Sequence, residues 1–582
     1  RLVMPPGLRK LEVRSRTKKP VKKLAAGSQS KDQDQISSAH TGIQTQKPTS
    51  NFNLTIEQQN ALSIIIKAID QNKPEKFLLY GVTGSGKTEV YMQAIAYILN
   101  KGKAAIVMVP EISLTPQLVQ RFRDRFQDHI AVLHSELTEK QRVGEWERIA
   151  TREGRIVLGT RSAVFAPVKD LGLIVIDEEY ETTYKSEKSP RYHAREVALK
   201  LAELNNATVI IGSATPSVET YYRAEKGEYT KLSLPKRIDD RPLPPVEVID
   251  MRGEGFGVLS ERLKDEIKGA LSGGEQIILF MNRLGYFTFI MCRECGLTLE
   301  CPQCSVSLVY HSADRRLRCG RCGYSTDAPI ICPRCHSSSI KYFGTGTQRI
   351  EEEVASIFPA ARLLRYDRDT VGQRGSHEAF FSTFAAGKAD VLIGTQMVTK
   401  GLDIANVTLV GAVAADTALY LPDFRAAEHT FQLLTQVAGR AGRHHLPGKV
   451  IIQTYNPEHY AIRAAAQHDY EEFYKQEIEF RKELNYPPFS RLISLLISGA
   501  DEKKVAKVSE DLGKFLNKRL KTAVLGPAAA AIPRLRGQWR YRILLKGDDL
   551  GQLRRAIAET LEKAVVPVDV KIAIDVEPMS LL

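Results

Sequence analysis

The segment Gly81-Val82-Thr83-Gly84-Ser85-Gly86-Lys87-Thr88 constrains this chain more than any other. It satisfies G-x-x-x-x-G-K-[ST], directly follows the apolar run FLLY at 77–80, and precedes a helical pattern, EVYMQAIAYIL at 89–99. A strand, a glycine-rich turn and a helix in that order form a phosphate cradle. The glycines let backbone N–H groups wrap the phosphates at a helix N-terminus, the lysine reaches the outer phosphates, and the threonine hydroxyl ligates Mg²⁺. Gly81, Thr83, Gly84, Ser85, Gly86, Lys87 and Thr88 are therefore expected to bind ATP.

A second motif gives the cradle a reaction. The apolar run Leu173-Ile174-Val175-Ile176 ends in Asp177-Glu178-Glu179. Carboxylates at the end of a buried strand suit Asp177 to hold Mg²⁺ through water, and Glu178 to orient and deprotonate an attacking water. Around these motifs, short apolar runs at 77–80, 104–109, 155–158, 173–176 and 208–211 alternate with helical patterns, the rhythm of a parallel sheet. A second set at 276–280, 390–393, 408–413 and 450–454 follows a proline-rich joint at 235–245. The expected fold is α/β, with two similar lobes at 51–236 and at 237–290 plus 341–484. A small α+β domain at 485–582 is expected to follow, with three strand-like runs and two amphipathic helices.

Residues 291–340 belong to neither lobe. All eight cysteines lie here as four C-x-x-C pairs: Cys292/Cys295, Cys301/Cys304, Cys319/Cys322 and Cys332/Cys335. Thiolates two residues apart are zinc knuckles, and a disulfide array does not suit a reducing compartment. Two Zn²⁺ are expected. Five residues between the first two pairs leave little chain for a ribbon hairpin, whereas the fourteen between the second and third suit one. That places Cys301, Cys304, Cys319 and Cys322 around one metal, and Cys292, Cys295, Cys332 and Cys335 around the other. His311 and His336 are expected to be non-ligands. Closed Cys₄ sites leave no open position, so both zincs are structural.

Charge is concentrated at the start. The net charge of the 582 residues is +14, and residues 1–50 carry 11 Lys/Arg against Glu12, Asp32 and Asp34. That segment has no aromatic residue, so it is expected to be a disordered basic tail or linker. With 43% apolar and 26% charged residues the chain as a whole is globular in composition, which excludes wholesale disorder and fibres. No apolar stretch approaches the length of a membrane span and no signal pattern opens the chain, so a soluble cytoplasmic protein is expected.

In order along the chain, further segments resemble superfamily 2 helicases, whose two RecA-like lobes clamp ATP. Gly212-Ser213-Ala214-Thr215-Pro216 resembles the motif that links hydrolysis to the lobe interface. Gly394-Thr395-Gln396 with Lys400-Gly401-Leu402-Asp403 resembles the strand-contacting motif of the second lobe, and Gln436-Val437-Ala438-Gly439-Arg440-Ala441-Gly442-Arg443 resembles the arginine-finger motif. Arg440 and Arg443 would supply cationic donors as charge develops on the γ-phosphate.

More specific segments resemble the primosomal replication-restart helicases of the PriA type: residues 109–117 (VPEISLTPQ), 159–167 (GTRSAVFAP) and 184–195. The resemblance covers about 53–582. It implies an ATP-dependent 3′-to-5′ DNA helicase with an aromatic-rich loop at 184–195 that reports DNA to the ATP site. Thr160, Arg161, Tyr184, Lys185, Arg191, Tyr192, Gln396 and Lys400 are the expected DNA contacts, with bases stacking on Tyr184 or Tyr192. Gln58 is the expected adenine contact. Single-stranded and branched DNA, other primosome and replisome-loading proteins and single-stranded DNA-binding protein are the implied partners. Two rival readings are an RNA or duplex translocase on the same engine and a primosome scaffold with weak ATPase activity. Two departures stand out: Tyr180 replaces a coupling histidine, and residues 1–50 offer no counterpart of the family's 3′-end-binding and winged-helix domains.

Overall fold

The computed structural model describes residues 54–581, except 239, 255–256, 282–288, 303–306, 312–315, 320–322, 344–346, 367–375, 396–397, 399–403, 405, 443–446 and 521–522. The basic tail, Cys304, Cys322, Gln396, Lys400 and Arg443 lie outside the described residues.

The first sheet contains β1 (Lys76–Gly81), β2 (Ala104–Met108), β3 (Ile130–Leu133), β4 (Ile156–Gly159), β5 (Leu171–Asp177), β6 (Thr208–Ser213) and β7 (Thr230–Leu234), in the order β3-β4-β2-β5-β6-β1-β7. The expected five apolar runs are β1, β2, β4, β5 and β6. Every residue of β2, β4 and β6 is buried, which is why these strands read as continuous apolar runs with no alternation. β3 is four residues long and β7 alternates at the sheet edge, so neither stands out in the sequence.

A second parallel sheet is built from β8 (Val246–Asp250) and β9 (Gln276–Met281) with four later strands. Between them come five short strands of the cysteine module: β10 (Phe289–Cys292), β11 (Val309–His311), β12 (Arg316–Arg318), β13 (Ser325–Asp327) and β14 (Ile340–Phe343). The lobe resumes with β15 (Leu363–Tyr366), β16 (Val391–Gly394), β17 (Val407–Val413) and β18 (Lys449–Thr454), in the order β15-β16-β9-β17-β18-β8, with each adjacent pair parallel. Four of these six strands were expected. β8 and β15 are only partly buried, which is why they escape an apolar count. Leu263, Ile267, Ile277, Leu279, Ile350, Ile393 and Ile451 form its core.

The C-terminal domain is an antiparallel sheet of β19 (Arg491–Gly499), β20 (Ala523–Leu535), β21 (Gln538–Gly547) and β22 (Lys571–Val576), ordered β20-β21-β19-β22. Its helices, Glu502–Arg519 and Leu550–Lys563, are the two expected amphipathic helices. The extra strand is β20, whose alanine run lacks the branched side chains that mark a strand in sequence.

By packing, the chain divides into two compact units. One comprises Arg1–Phe77, Lys87–Asp177 and Ala194–Ile210; the other comprises Leu78–Gly86, Glu178–His193 and Ile211–Leu582. The division does not follow the boundary expected at 236. The phosphate loop and the segment behind the acidic motif group with the later part of the chain because they pack against the arginine motif and the closing strand, as described below. Among the described residues, no helix is long and apolar enough to cross a membrane.

Candidate active site and metal centre

The phosphate loop leaves β1 and leads directly into the helix Lys87–Asn100. Gly84 and Gly86 have φ of +87° and +78°, the left-handed region in which a side chain is strained. Ser85 N–H donates to the Val82 carbonyl at 3.1 Å, closing the turn, and Ser85 is buried. Lys87 and Thr88 begin the helix, where N–H groups lack intrahelical acceptors and the dipole favours anions.

Asp177 ends β5. The hydroxyl of Tyr91 donates to its Oδ1 at 3.0 Å, which orients the carboxylate. Tyr91 is a site residue that motif reading missed. Its signal was its position four residues beyond Lys87, on the same helix face. Glu178 has φ of +47°, a left-handed conformation unusual for glutamate, and its carbonyl accepts from Glu181 N–H at 3.0 Å. Asp177 and Glu178 are both partly exposed, whereas Glu179 is fully buried.

Within the second unit, the phosphate loop meets the arginine motif. A Cβ on Gly439 would lie 3.1 Å from the Thr83 side chain, so a larger residue here would push the two segments apart by a few tenths of an ångström. Arg237, from the proline-rich joint, runs along Gly84 and donates from Nη1 to the Gly442 carbonyl at 3.3 Å, while Ile238 N–H donates to Gly84 O at 3.2 Å. Nothing in the sequence marks Arg237, which lies some 150 positions from the loop it covers. Arg440 is partly exposed just beyond the helix Ala426–Ala438. Tyr180 is buried near it. Burial first, then the charges of Glu178 and Glu181, push its hydroxyl well above the ordinary tyrosine range, against Arg440 and a hydrogen bond with Thr215. Tyr180 thus presents a neutral hydroxyl in electrostatic reach of both Glu178 and Arg440.

Gln58 is buried, and its Oε1 accepts from Thr55 N–H at 3.0 Å while Thr55 Oγ1 accepts from Gln58 N–H at 3.3 Å. This capping box starts the helix Ile56–Asp70. The expected adenine contact therefore also has a local structural role.

The expected DNA contacts divide. Thr160 is buried, its N–H bonded to Leu133 O, and Arg161 is partly buried at the start of a short 3₁₀ turn. In the aromatic-rich loop, Tyr184 is 1% exposed and Lys185 only 7%. Lys185 Nζ donates to the Val576 carbonyl at 2.6 Å and forms an ion pair with Asp575 Oδ1 at 3.0 Å, an electrostatic contact without hydrogen-bond alignment. Arg191 lies 3.7 Å from Asp575 Oδ2. In this conformation Tyr184 and Lys185 are both buried rather than presented to solvent. The reason is that the last strand of the C-terminal domain takes up the ammonium. Tyr192 and Arg191 keep partial exposure.

The metal centre is the nested one. The sulfurs of Cys292, Cys295, Cys332 and Cys335 all lie within 4.8 Å of one another. Antiparallel pairing of β10 with β14, including Cys292 opposite Ile340, brings the outer knuckles together. Each knuckle is closed by a bond from the residue after the pair: Gly296 N–H to Cys292 O at 2.9 Å and His336 N–H to Cys332 O at 2.9 Å. Gly296 and His336 have φ of +70° and +59°. Exposed His336 is thus a turn residue, in keeping with its expected non-ligand role. Gly323 N–H closes the same turn on Cys319 at 3.1 Å. Four convergent thiols on two such turns fit a tetrahedral Zn²⁺. Cys301 and Cys319 of the inner set are both buried in one cluster with Leu308 and Leu317.

Four family descriptions match the chain: DEAD/DEAH box helicase at 55–224, helicase conserved C-terminal domain at 346–445, PriA DNA helicase Cys-rich region domain at 301–326, and primosomal protein N C-terminal domain at 482–579. The replication restart protein PriA of Bacillus subtilis (strain 168) is 47% identical over 545 residues, which cover 92% of this chain and 68% of that protein. The proteins of the same name from Synechocystis and Treponema pallidum are 44% and 42% identical, over 87% and 92% of this chain and 62% and 81% of theirs.

Proposed function

Since the chain belongs to the PriA family of replication restart helicases, we propose that it is an ATP-dependent helicase that moves 3′ to 5′ on DNA and acts in primosome assembly at branched DNA. The observation that carries this reading is the packing of Gly439 on Thr83, with Tyr180 in reach of both Glu178 and Arg440. A phosphate loop, a water-activating carboxylate and a finger arginine so grouped are the parts that hydrolyse a nucleoside triphosphate.

Lys87 and the loop N–H groups bind the phosphates. Thr88 and Asp177 would hold Mg²⁺, which neutralises phosphate charge when bound. Glu178 orients a water and accepts its proton, and Arg440 meets the charge developing on the γ-phosphate, with Arg443 assigned to the same task. Single-stranded and branched DNA are the proposed nucleic-acid partners, engaged through Arg161, Arg191 and Tyr192 in one lobe and Gln396 and Lys400 in the other. Primosome and replisome-loading proteins and single-stranded DNA-binding protein are the proposed protein partners.

Strand displacement on a model fork, with a polarity control, tests the reading. The parental chain is expected to displace the strand met when moving 3′ to 5′. Lys87→Ala should lose nucleotide affinity, and Glu178→Gln should keep it while turnover falls by ~10²–10⁴. Equal stimulation by RNA or duplex would favour a different translocase, and assembly activity retained by Glu178→Gln would favour a scaffold. Parental turnover in Glu178→Gln would remove the assignment of the base.

A further inference from the structure

Glu179 follows the proposed base and is 0% exposed, yet no motif assigns it a task. Its Oε1 accepts from Ser217 N–H at 2.6 Å, and its Oε2 accepts from the hydroxyls of Ser217 at 3.2 Å and Thr220 at 3.1 Å. Ser217 is the N-cap of the helix Val218–Glu225. The next N–H along, that of Val218, donates to Glu428 Oε1 at 3.0 Å. Glu428 lies in the first turn of the helix Ala426–Ala438, whose far end leads into Gly439-Arg440. Two carboxylates, one behind the base and one on the finger helix, therefore hold adjacent N–H groups at a single helix N-terminus.

The second carboxylate is itself locked. Glu428 Oε2 accepts from Arg481 Nη2 at 2.6 Å, and Gln432 Nε2 bridges Glu428 Oε1 at 3.3 Å and the Thr215 carbonyl at 3.4 Å. Arg481, 2% exposed, also pairs with Glu477 at 2.7 Å and Glu219 at 3.3 Å. Arg425 pairs with Glu219 at 2.6 Å. Buried charge clusters of this kind are seldom more stabilising than apolar side chains of the same volume, but they fix geometry because every oxygen demands its donor. Glu178, whose φ is +47°, immediately precedes the anchored Glu179.

We propose that Glu179 and Glu428 are positioning residues for ATP hydrolysis. Through Ser217 and Val218 they set the register between the base Glu178 and the finger Arg440, so that water activation and charge neutralisation occur together. The proposal rests on the hydrolytic reading above and adds to it the residues that align its two halves.

The test compares Glu179→Gln, Glu428→Gln and the double variant in the full chain, measuring kcat and KM for ATP with and without single-stranded DNA, and thermal unfolding. Misplacement of a catalytic group by a fraction of an ångström is expected to lower kcat at least ~10-fold with KM within about twofold. The double variant should be no slower than the slower single one, because both break one chain of contacts. Glu179→Asp, which keeps the charge, should recover part of the rate. A folded Glu179→Gln with parental kcat, or multiplicative losses in the double variant, would overturn the proposal. If Glu179→Gln does not fold, Ser217→Ala, which removes only the hydroxyl, must show the kcat loss for the proposal to survive. A parental chain without ATPase activity defeats the hydrolytic reading instead, so the two failures are distinct.

Discussion

The cysteine module and the C-terminal domain are both small antiparallel assemblies, yet different forces close them. One cluster of fourteen buried apolar residues, among them Ile493, Leu495, Leu512, Leu516, Ile543 and Leu545, fills the space between the domain's sheet and its two helices. The described core of the module has five buried members, two of them Cys301 and Cys319, and Ile330 and Ile331 stay exposed. Its strands β11, β12 and β13 are three residues each, whereas β19 pairs with β21 over nine. At ~25 cal/mol per Å² of apolar surface, burial favours closure of the domain more than of the module. Four-residue turns that aim thiols inward do the work of a core, provided a metal occupies the point where they converge.

Removing the metal should give the largest effect. Structural zinc contributes on the order of 10–16 kcal/mol in small zinc peptides. A chelator is expected to abolish amide protection across β10–β14, and Cys292→Ser that of β10 and β14, while β19, β21 and β22 stay unchanged in hydrogen exchange. Metal content should fall from two equivalents to one in Cys292→Ser. Protected module amides in the metal-free protein would break the comparison.

The converse substitution should act on the other region alone. Leu512 is fully buried in the domain core, so Leu512→Ala should destabilise the domain by about 2–5 kcal/mol. Two equivalents of zinc should remain bound. Loss of zinc from this variant would mean that the two regions fold as one.

The smallest effect concerns a surface pair of the domain. A hydrogen bond from Lys504 holds the Asp569 carboxyl below its ordinary range, and the same bond raises the Lys504 ammonium. The depressed carboxylate contributes stability above about pH 4 that is lost as pH falls through its folded value, and the raised ammonium loses its part above about pH 10. Lys504→Ala should therefore lower the thermal midpoint slightly at neutral pH, and the difference should vanish in strong acid. Both groups are about half exposed, so the difference should also shrink with salt. A difference that persisted in strong acid would mean the aliphatic stem of Lys504, rather than its charge, is what counts.

The phosphate-loop turn and the cysteine cluster were legible wherever neighbouring residues supply the geometry. Gly84 and Gly86 occupy left-handed turns of a cradle, the conformation glycine favours, and Gly296 and Gly323 do the same behind their cysteine pairs. The spacing of the knuckles was enough to select the outer set Cys292, Cys295, Cys332 and Cys335. The burial of Lys185 in the aromatic-rich loop was not legible, because its partners are residues 575–576, almost four hundred positions away.

By itself, then, the sequence determined the turns, the strands buried on both faces and the metal-ligand spacing, all of them consequences of φ preference and periodicity over a few residues. Only the tertiary structure decided which charges meet. Arg237 lies on Gly84, Lys185 is bound by Asp575 and Val576, and Glu179 and Glu428 share one helix N-terminus. A lysine or glutamate reads the same in sequence whether it faces water or a buried partner. The partner is fixed by packing of the whole chain, because a buried charge is tolerated only where a distant element delivers its counter-ion or hydrogen-bond donor.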